Sequence, residues 1–248
     1  MSLYNKYRPK DFNQLIHSKF KQVFEGNFSH HAYLFFGPPG VGKTSAARLC
    51  MAGLNKNINP DSFIDGTHPD YHEINCAVNN GVDEIREIIS GTVSTLPFQC
   101  KHKFIVFDEA HMLTAQAQNA LLKTTEEPPT HVKFIFCTTE VNKVIPAIRS
   151  RCQLVPFSKL SNSDLISIIE HICVSEKISF SKESLELIAS CSDGSGRAAI
   201  NLLEQTTLLL NDPSACAEAL GTLDSKSFNN LTLLFCSKKT NECIKLLD

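Results

Sequence analysis

Apolar residues along this chain follow two rhythms, and the change falls after Ser158. In the first part, short apolar runs recur: Ala32-Tyr33-Leu34-Phe35-Phe36, Phe104-Ile105-Val106-Phe107, and Val132 to Cys137, broken only by Lys133. Runs of that length without alternation read as strands of a parallel sheet covered on both faces. Tyr71-His72-Glu73-Ile74 reads as a further short strand. Helical stripes separate the runs. Ala47, Cys50, Met51 and Leu54 stand at i, i+3, i+4 and i+7. Val82, Ile85, Ile88, Ile89 and Val93 form a second stripe, with Asn80 as a possible cap and Asp83 and Glu84 suited to the first turn. Ala117, Ala120 and Leu121 mark a helix over 115–127 that Pro128-Pro129 ends. Asn55 to Asp70, rich in Asn, Asp, Gly and Pro, reads as a loop.

After Ser158 only the helical period remains. Leu165, Ile168, Ile169 and Ile172 follow Ser161, Asn162 and Ser163, which are good caps. Leu185, Ile188 and Ala189 mark a second helix, and Asp193-Gly194-Ser195-Gly196 breaks it. Arg197 opens a third helix, through Ile200, Leu203 and Leu208 to Pro213. Two more are expected between Leu231 and Leu247. The expected organisation is an α/β domain over 1–158, a small helical domain over 159–221, and a helical segment over 222–248.

Composition narrows the picture only a little. The 248 residues are 42% hydrophobic and 20% charged, an ordinary globular balance. A net charge of −2 neither demands nor excludes nucleic acid, so any such role rests on a local patch. No apolar run approaches the ~18 residues of a membrane span. The opening residues are basic and lack an apolar segment, so no secretory signal is expected. Ten cysteines occur without a C-x-x-C pair, several inside apolar runs, which suits a reduced, cytoplasmic chain.

The chemistry concentrates after the first strand. Gly37-Pro38-Pro39-Gly40-Val41-Gly42-Lys43-Thr44 fits G-x-x-x-x-G-K-[ST], between a strand and a helix. A triphosphate crowds negative charge together. Glycines let the backbone curl its N–H groups inward, and the following helix aims its positive end at the same place. Lys43 is expected to reach the terminal phosphates of ATP, Thr44 to ligate Mg²⁺, and Ser45 to lie beside the phosphates. The strand 104–107 leads into Asp108 and Glu109. Ligands of open parallel sheets sit beyond the carboxyl ends of the strands, so Asp108 is placed to hold the Mg²⁺ shell and Glu109 to polarise the attacking water. On its own, such a pair reads as a solvated strand end. The strand 132–137 delivers Thr138 and Thr139 to the same edge.

Together these residues resemble the AAA+ clamp-loader subunits of bacterial DNA polymerase III, the gamma/tau and delta-prime subunits. The resemblance rests on Tyr7-Arg8-Pro9, the phosphate loop, Asp108-Glu109-Ala110-His111, Asn119-Ala120-Leu121-Leu122-Lys123, Glu126-Glu127-Pro128-Pro129, Thr138-Thr139, Ser150-Arg151-Cys152, and Gly194-Ser195 followed by Arg197. It implies an ATPase subunit of a ring that opens a sliding clamp and closes it on primer–template DNA. It further implies Thr139 as first sensor, Arg197 as second sensor, Tyr7 and Arg8 beside base and ribose, and Arg151 as an arginine finger for a neighbouring subunit. DNA phosphates would be tracked near Asn80 and Arg86. Two departures stand out. The gamma/tau pattern carries a four-cysteine zinc module. Here Lys56 replaces its first cysteine, and His68, His72 and Cys76 suit no standard four-ligand spacing, so zinc is not expected. Gly66-Thr67-His68-Pro69-Asp70-Tyr71 is more like delta-prime, whose role would be scaffold and finger donor. An unrelated AAA+ remodeller or helicase is the third reading.

Overall fold

The computed structural model describes residues 2–15, 28–55, 58 and 60–222. The helices expected between Leu231 and Leu247 lie outside them. In chain order the regular elements are α1 (Leu3–Lys6), β1 (Ala32–Phe36), α2 (Lys43–Leu54), α3 (Pro60–Ile64), β2 (Tyr71–Asn75), α4 (Val82–Val93), β3 (Lys103–Asp108), α5 (Ala115–Glu126), β4 (Val132–Thr138), α6 (Pro146–Arg149), β5 (Gln153–Pro156), α7 (Asn162–Glu176), α8 (Lys182–Cys191), α9 (Gly196–Thr206) and α10 (Pro213–Ala219). They group into two compact units, Arg8–Lys159 and Met1–Tyr7 with Leu160–Asp248.

The first unit is a five-stranded parallel sheet in the order β2-β3-β4-β1-β5. Its three central strands, β3, β4 and β1, are mostly apolar because both faces are covered. Tyr33, Phe35, Phe104, Val106, Ile135 and Cys137 pack with α2 and α3 residues such as Leu49, Met51 and Phe63. Leu34, Ile105, Phe107, Phe134 and Phe136 point the other way, toward Ile85, Ala117, Leu121 and Ile148. The period-2 alternation is therefore present, but it separates two cores instead of core from solvent.

Three local expectations need correction, and one strand was not foreseen. The 55–70 stretch contains α3, whose Phe63 is fully buried; a helix of five residues offers too short a period to see. The buried face of α2 runs through Ala46, Ala47, Leu49, Cys50 and Met51, while Leu54 is exposed. The residue capping α4 is Gly81, not Asn80: its N–H donates to Glu84 Oε2 (3.4 Å), while the Asn80 carbonyl accepts from the Thr114 N–H (3.3 Å). The edge strand β5 carries no apolar run, since only Val155 of its four residues is buried; pairing with β1 makes it a strand.

In the second unit, α7 to α10 surround a core of Leu165, Ile169, Ile172, Leu185, Ile188, Leu203 and Leu210. Leu3, Tyr4 and Tyr7 pack against that core, which is why the first seven residues group with the helices. The third helix stops at Thr206 and leaves Leu208 exposed; Pro213 begins α10 instead of ending α9. Pro at a first helical position loses no hydrogen bond, and the Asp212 carboxylate accepts from Ser214 and Ala215 N–H groups.

Candidate functional site

The carboxyl ends of β1, β3 and β4 lie side by side, and each hands over to a polar turn. After β1, the chain turns through Gly37 at φ +152°, a conformation open to glycine. A Cβ there would sit 2.0 Å from the Phe157 carbonyl oxygen, so no larger residue fits. Gly40 and Gly42 also have positive φ, and Gly42 is the N-cap of α2. No side chain caps that helix. The positive end of the helix dipole therefore faces the loop without a capping side chain. Pro38 and Pro39 carry no N–H, and Val41 is buried as an anchor.

Lys43 is largely buried, and its ammonium donates to the Gly37 (2.8 Å) and Pro38 (2.7 Å) carbonyls. The Thr44 hydroxyl donates to Asp108 Oδ2 at 3.0 Å, tying the start of α2 to the end of β3. Burial raises the Asp108 pKa and the neighbouring Glu109 carboxylate adds to it, while the Thr44 hydroxyl pulls the other way. Glu109 takes left-handed backbone angles, φ +53°, rare outside glycine. Its Oε2 is buried and receives no hydrogen bond.

The structure thus brings together Gly37, Lys43, Thr44, Asp108 and Glu109. At the end of β4, the fully buried Thr138 has its hydroxyl 3.2 Å from His111 Nδ1, and half-buried Thr139 follows it. His111 stood in the Asp108–His111 motif without a role; its place three residues past Asp108, in the turn that leaves the sheet edge, was the available signal. Arg151 lies elsewhere. It precedes β5, whose first residue Gln153 pairs with Tyr33, so it sits at the amino ends of the strands. There its guanidinium donates to the Ala147 carbonyl (2.7 Å) and pairs with Glu126, beside His30 and His31. Arg86 is an exposed partner of Asp83. In the other unit, the Tyr7 hydroxyl donates to Glu176 (2.5 Å), and Arg197 stacks on the Tyr4 ring while donating to its hydroxyl (2.8 Å). Arg8 belongs to the α/β unit.

The histidine and cysteine residues considered for metal assort differently from their sequence spacing. Among the described residues, His68, Asp70 and Cys100 put ligand atoms within 4.8 Å of one another. Asp70, however, accepts N–H bonds from Phe98 (2.6 Å), Gln99 (2.8 Å) and Cys100 (2.9 Å), and His68 Nδ1 accepts from the Asp70 N–H (3.1 Å). Burial pushes the Cys100 thiol up to about 12. The Asp70 carboxylate and His68 Nδ1 thus serve in closing a loop, and His68 Nε2 lies 3.9 Å from Cys100 Sγ. No helix of the described residues is long and apolar enough to cross a membrane.

Comparison with known proteins fits this geometry. The family model described as "DNA polymerase III, delta subunit" matches residues 12–161. DNA polymerase III subunit gamma of Buchnera aphidicola subsp. Schizaphis graminum is 39% identical over 218 residues, 82% of this chain and 60% of that protein. DNA polymerase III subunit tau of Bacillus subtilis is 37% identical over 236 residues, 88% of this chain and 42% of that protein. The chain therefore spans less than two thirds of the length of either. Among solved structures, the Thermotoga maritima RuvB Holliday junction branch migration motor shares the fold, with a TM-score of 0.65 at 19% identity over 92% of this chain and 79% of that one. The α/β fold, the matched span and these relatives agree: the chain belongs to the clamp-loader AAA+ subunits of DNA polymerase III.

Proposed function

We propose that this chain binds and hydrolyses ATP within a ring of clamp-loader subunits, helping to open a sliding clamp and close it on primed DNA. One observation carries the reading: the Thr44 hydroxyl and the Asp108 carboxylate already meet at 3.0 Å, at the mouth of an uncapped helix N-terminus. A buried carboxylate held by one hydroxyl and one N–H, beside a helix start without a side-chain cap, fits a divalent cation and a polyphosphate. Thr44 and Asp108 would hold Mg²⁺, which supplies charge neutralisation at the β- and γ-phosphates. Lys43 exchanges its two carbonyl partners for phosphate oxygens. Glu109 orients the attacking water and accepts its proton. Thr139, at the end of β4, monitors the γ-phosphate. Arg151 faces away from this loop, at the amino ends of the strands, which suits service to a neighbouring subunit's site. Arg197 and Tyr7 belong to the other compact unit and carry none of this argument.

The test is ATP turnover by the assembled complex containing this chain with Lys43→Ala or Glu109→Gln. Each is expected to lower turnover at this site by about 10²-fold or more. Unchanged turnover would refute hydrolysis here. The isolated chain is expected to turn over slowly, since an arginine finger in trans is worth ~10³–10⁵ in rate. The second reading is a scaffold subunit that presents Arg151 and hydrolyses little, favoured by the delta-subunit description of the matching family model. Calorimetry with ATP and Mg²⁺ on the isolated chain separates the two: the absence of binding heat favours the scaffold.

A further inference from the structure

The imidazole of His111 occupies a position that the phosphate-loop chemistry leaves unexplained. Its side chain is only 10% exposed. It sits in the 3₁₀ turn Ala110–Met112, directly after β3, at the edge shared with the phosphate loop. Nδ1 lies 3.2 Å from Thr138 Oγ1 and 3.4 Å from Glu109 Oε2. The first distance has hydrogen-bond geometry; the second is close but not aligned as a hydrogen bond, which agrees with Glu109 Oε2 receiving none. On the other side of the ring, Nε2 lies 3.6 Å from Glu140 Oε1. Glu140 is itself anchored: its N–H donates to Thr138 Oγ1 (3.0 Å), and the Lys143 ammonium donates to its carboxylate (2.9 Å).

We propose that His111 is the positioning residue for Glu109, holding that carboxylate in register with the end of β4; this rests on the hydrolytic reading above. The argument is geometric. Glu109 is the residue assigned to the water, yet it has left-handed backbone angles, and one buried oxygen lacks a donor. A buried acceptor without a donor carries its desolvation cost uncompensated, so a donor brought to it is favoured. With its proton on Nδ1, the imidazole is the donor within reach. A small ring rotation moves it from the Thr138 hydroxyl toward Glu109 Oε2, with Nε2 still facing Glu140 Oε1, 3.6 Å away. Because Thr138 precedes Thr139 on the same strand end, a shift there on nucleotide engagement alters which acceptor Nδ1–H serves. The carboxylate's aim is thereby coupled to the strand that monitors the γ-phosphate.

The experiment compares His111→Ala, His111→Asn and His111→Gln with the unaltered chain, in the assembled complex. ATP turnover is measured as kcat and KM, with ATP affinity and thermal unfolding measured on the same preparations. Asn offers an N–H near the Nδ1 position and Gln one near Nε2. The expected result is a loss of kcat of about tenfold or more in His111→Ala, with KM and ATP affinity within about twofold, and partial recovery in His111→Asn greater than in His111→Gln. A kcat within about twofold of the unaltered chain overturns the positioning role. So does a loss of ATP affinity or melting temperature in step with kcat and without rescue by Asn, which marks a structural side chain. If the unaltered chain, Lys43→Ala and Glu109→Gln all turn over alike, hydrolysis at this site fails, and the role of His111 fails with it. Failure confined to the His111 series leaves the hydrolytic reading standing.

Discussion

Helix beginnings differ between the two compact units. Beyond Leu160, every described helix supplies its own acceptor: Ser161 to Asp164 N–H, Ser181 to Ser184 N–H, Ser195 to Ala198 N–H, and Asp212 to Ser214 and Ala215 N–H. In the α/β unit, α5 is capped in the same way by Thr114, but α2 begins on Gly42 with no side-chain acceptor. Two carboxylates in that unit show the same division. Asp70 has three backbone N–H donors, which overcome the upward push of burial and hold its pKa below the ordinary carboxylate range. Asp108 has the Thr44 hydroxyl and an N–H from Glu109, and burial pushes it up. Structural polar groups here close their hydrogen bonds within the fold. At the sheet edge, α2 starts without a side-chain cap and Glu109 Oε2 has no donor, as a ligand site requires.

The contrast can be attacked at several points, the largest first. Gly37→Ala should destabilise the α/β unit by at least about 3 kcal/mol, because its Cβ would meet the Phe157 carbonyl oxygen at 2.0 Å. An unfolding free energy from urea titration lowered by less than about 1 kcal/mol would show that the loop has room. Asp70→Asn should cost about 2–3 kcal/mol at neutral pH, since an amide oxygen cannot take three N–H bonds and its NH₂ opposes them. The pH dependence follows from the lowered pKa. The stability Asp70 contributes is present above the ordinary carboxylate value, about 3.9, and is lost as pH falls through the lower folded value. Acid titration of unfolding free energy should therefore be shallower in the Asn variant below pH ~4; an identical slope would remove Asp70 as the cause. Ser161→Ala should lower stability by about 1 kcal/mol through loss of a cap, with ATP affinity unchanged. A change in affinity would break the distinction between self-capped helices and the ligand-facing one. The smallest effect belongs to Arg86→Ala. Its ion pair with Asp83 is exposed on both sides, so stability should move by less than about 0.5 kcal/mol. If Arg86 tracks a DNA phosphate, the slope of log affinity against log salt should fall by about 1.

Much of the α/β unit was legible residue by residue. The runs 32–36, 104–107 and 132–137 are strands, and the phosphate loop lies between strand and helix as its pattern requires. What escaped was short or edge-bound. The five residues of α3 complete hardly more than one turn, and β5 has one buried residue, so neither leaves a periodic mark. α4 starts after Gly81, whose N–H donates to Glu84, while the Asn80 carbonyl accepts from Thr114 of another segment. The metal question was also one of segments: His68 meets Cys100, which follows α4, instead of Cys76.

The sequence alone determined where charge and backbone freedom are concentrated. Glycine φ, proline's missing N–H, the ammonium of Lys43 and the carboxylates after an apolar run are properties of residues and their immediate neighbours. Tertiary structure decided which groups complete them. The sheet order β2-β3-β4-β1-β5 sets the end of β3 close to the start of α2, so that Asp108 reaches Thr44, and beside the end of β4, so that His111 reaches Thr138. It also seats the Phe157 carbonyl against Gly37. Such contacts depend on the register between distant strands, and hydrophobic periodicity fixes which face a residue takes but not which strand becomes its neighbour.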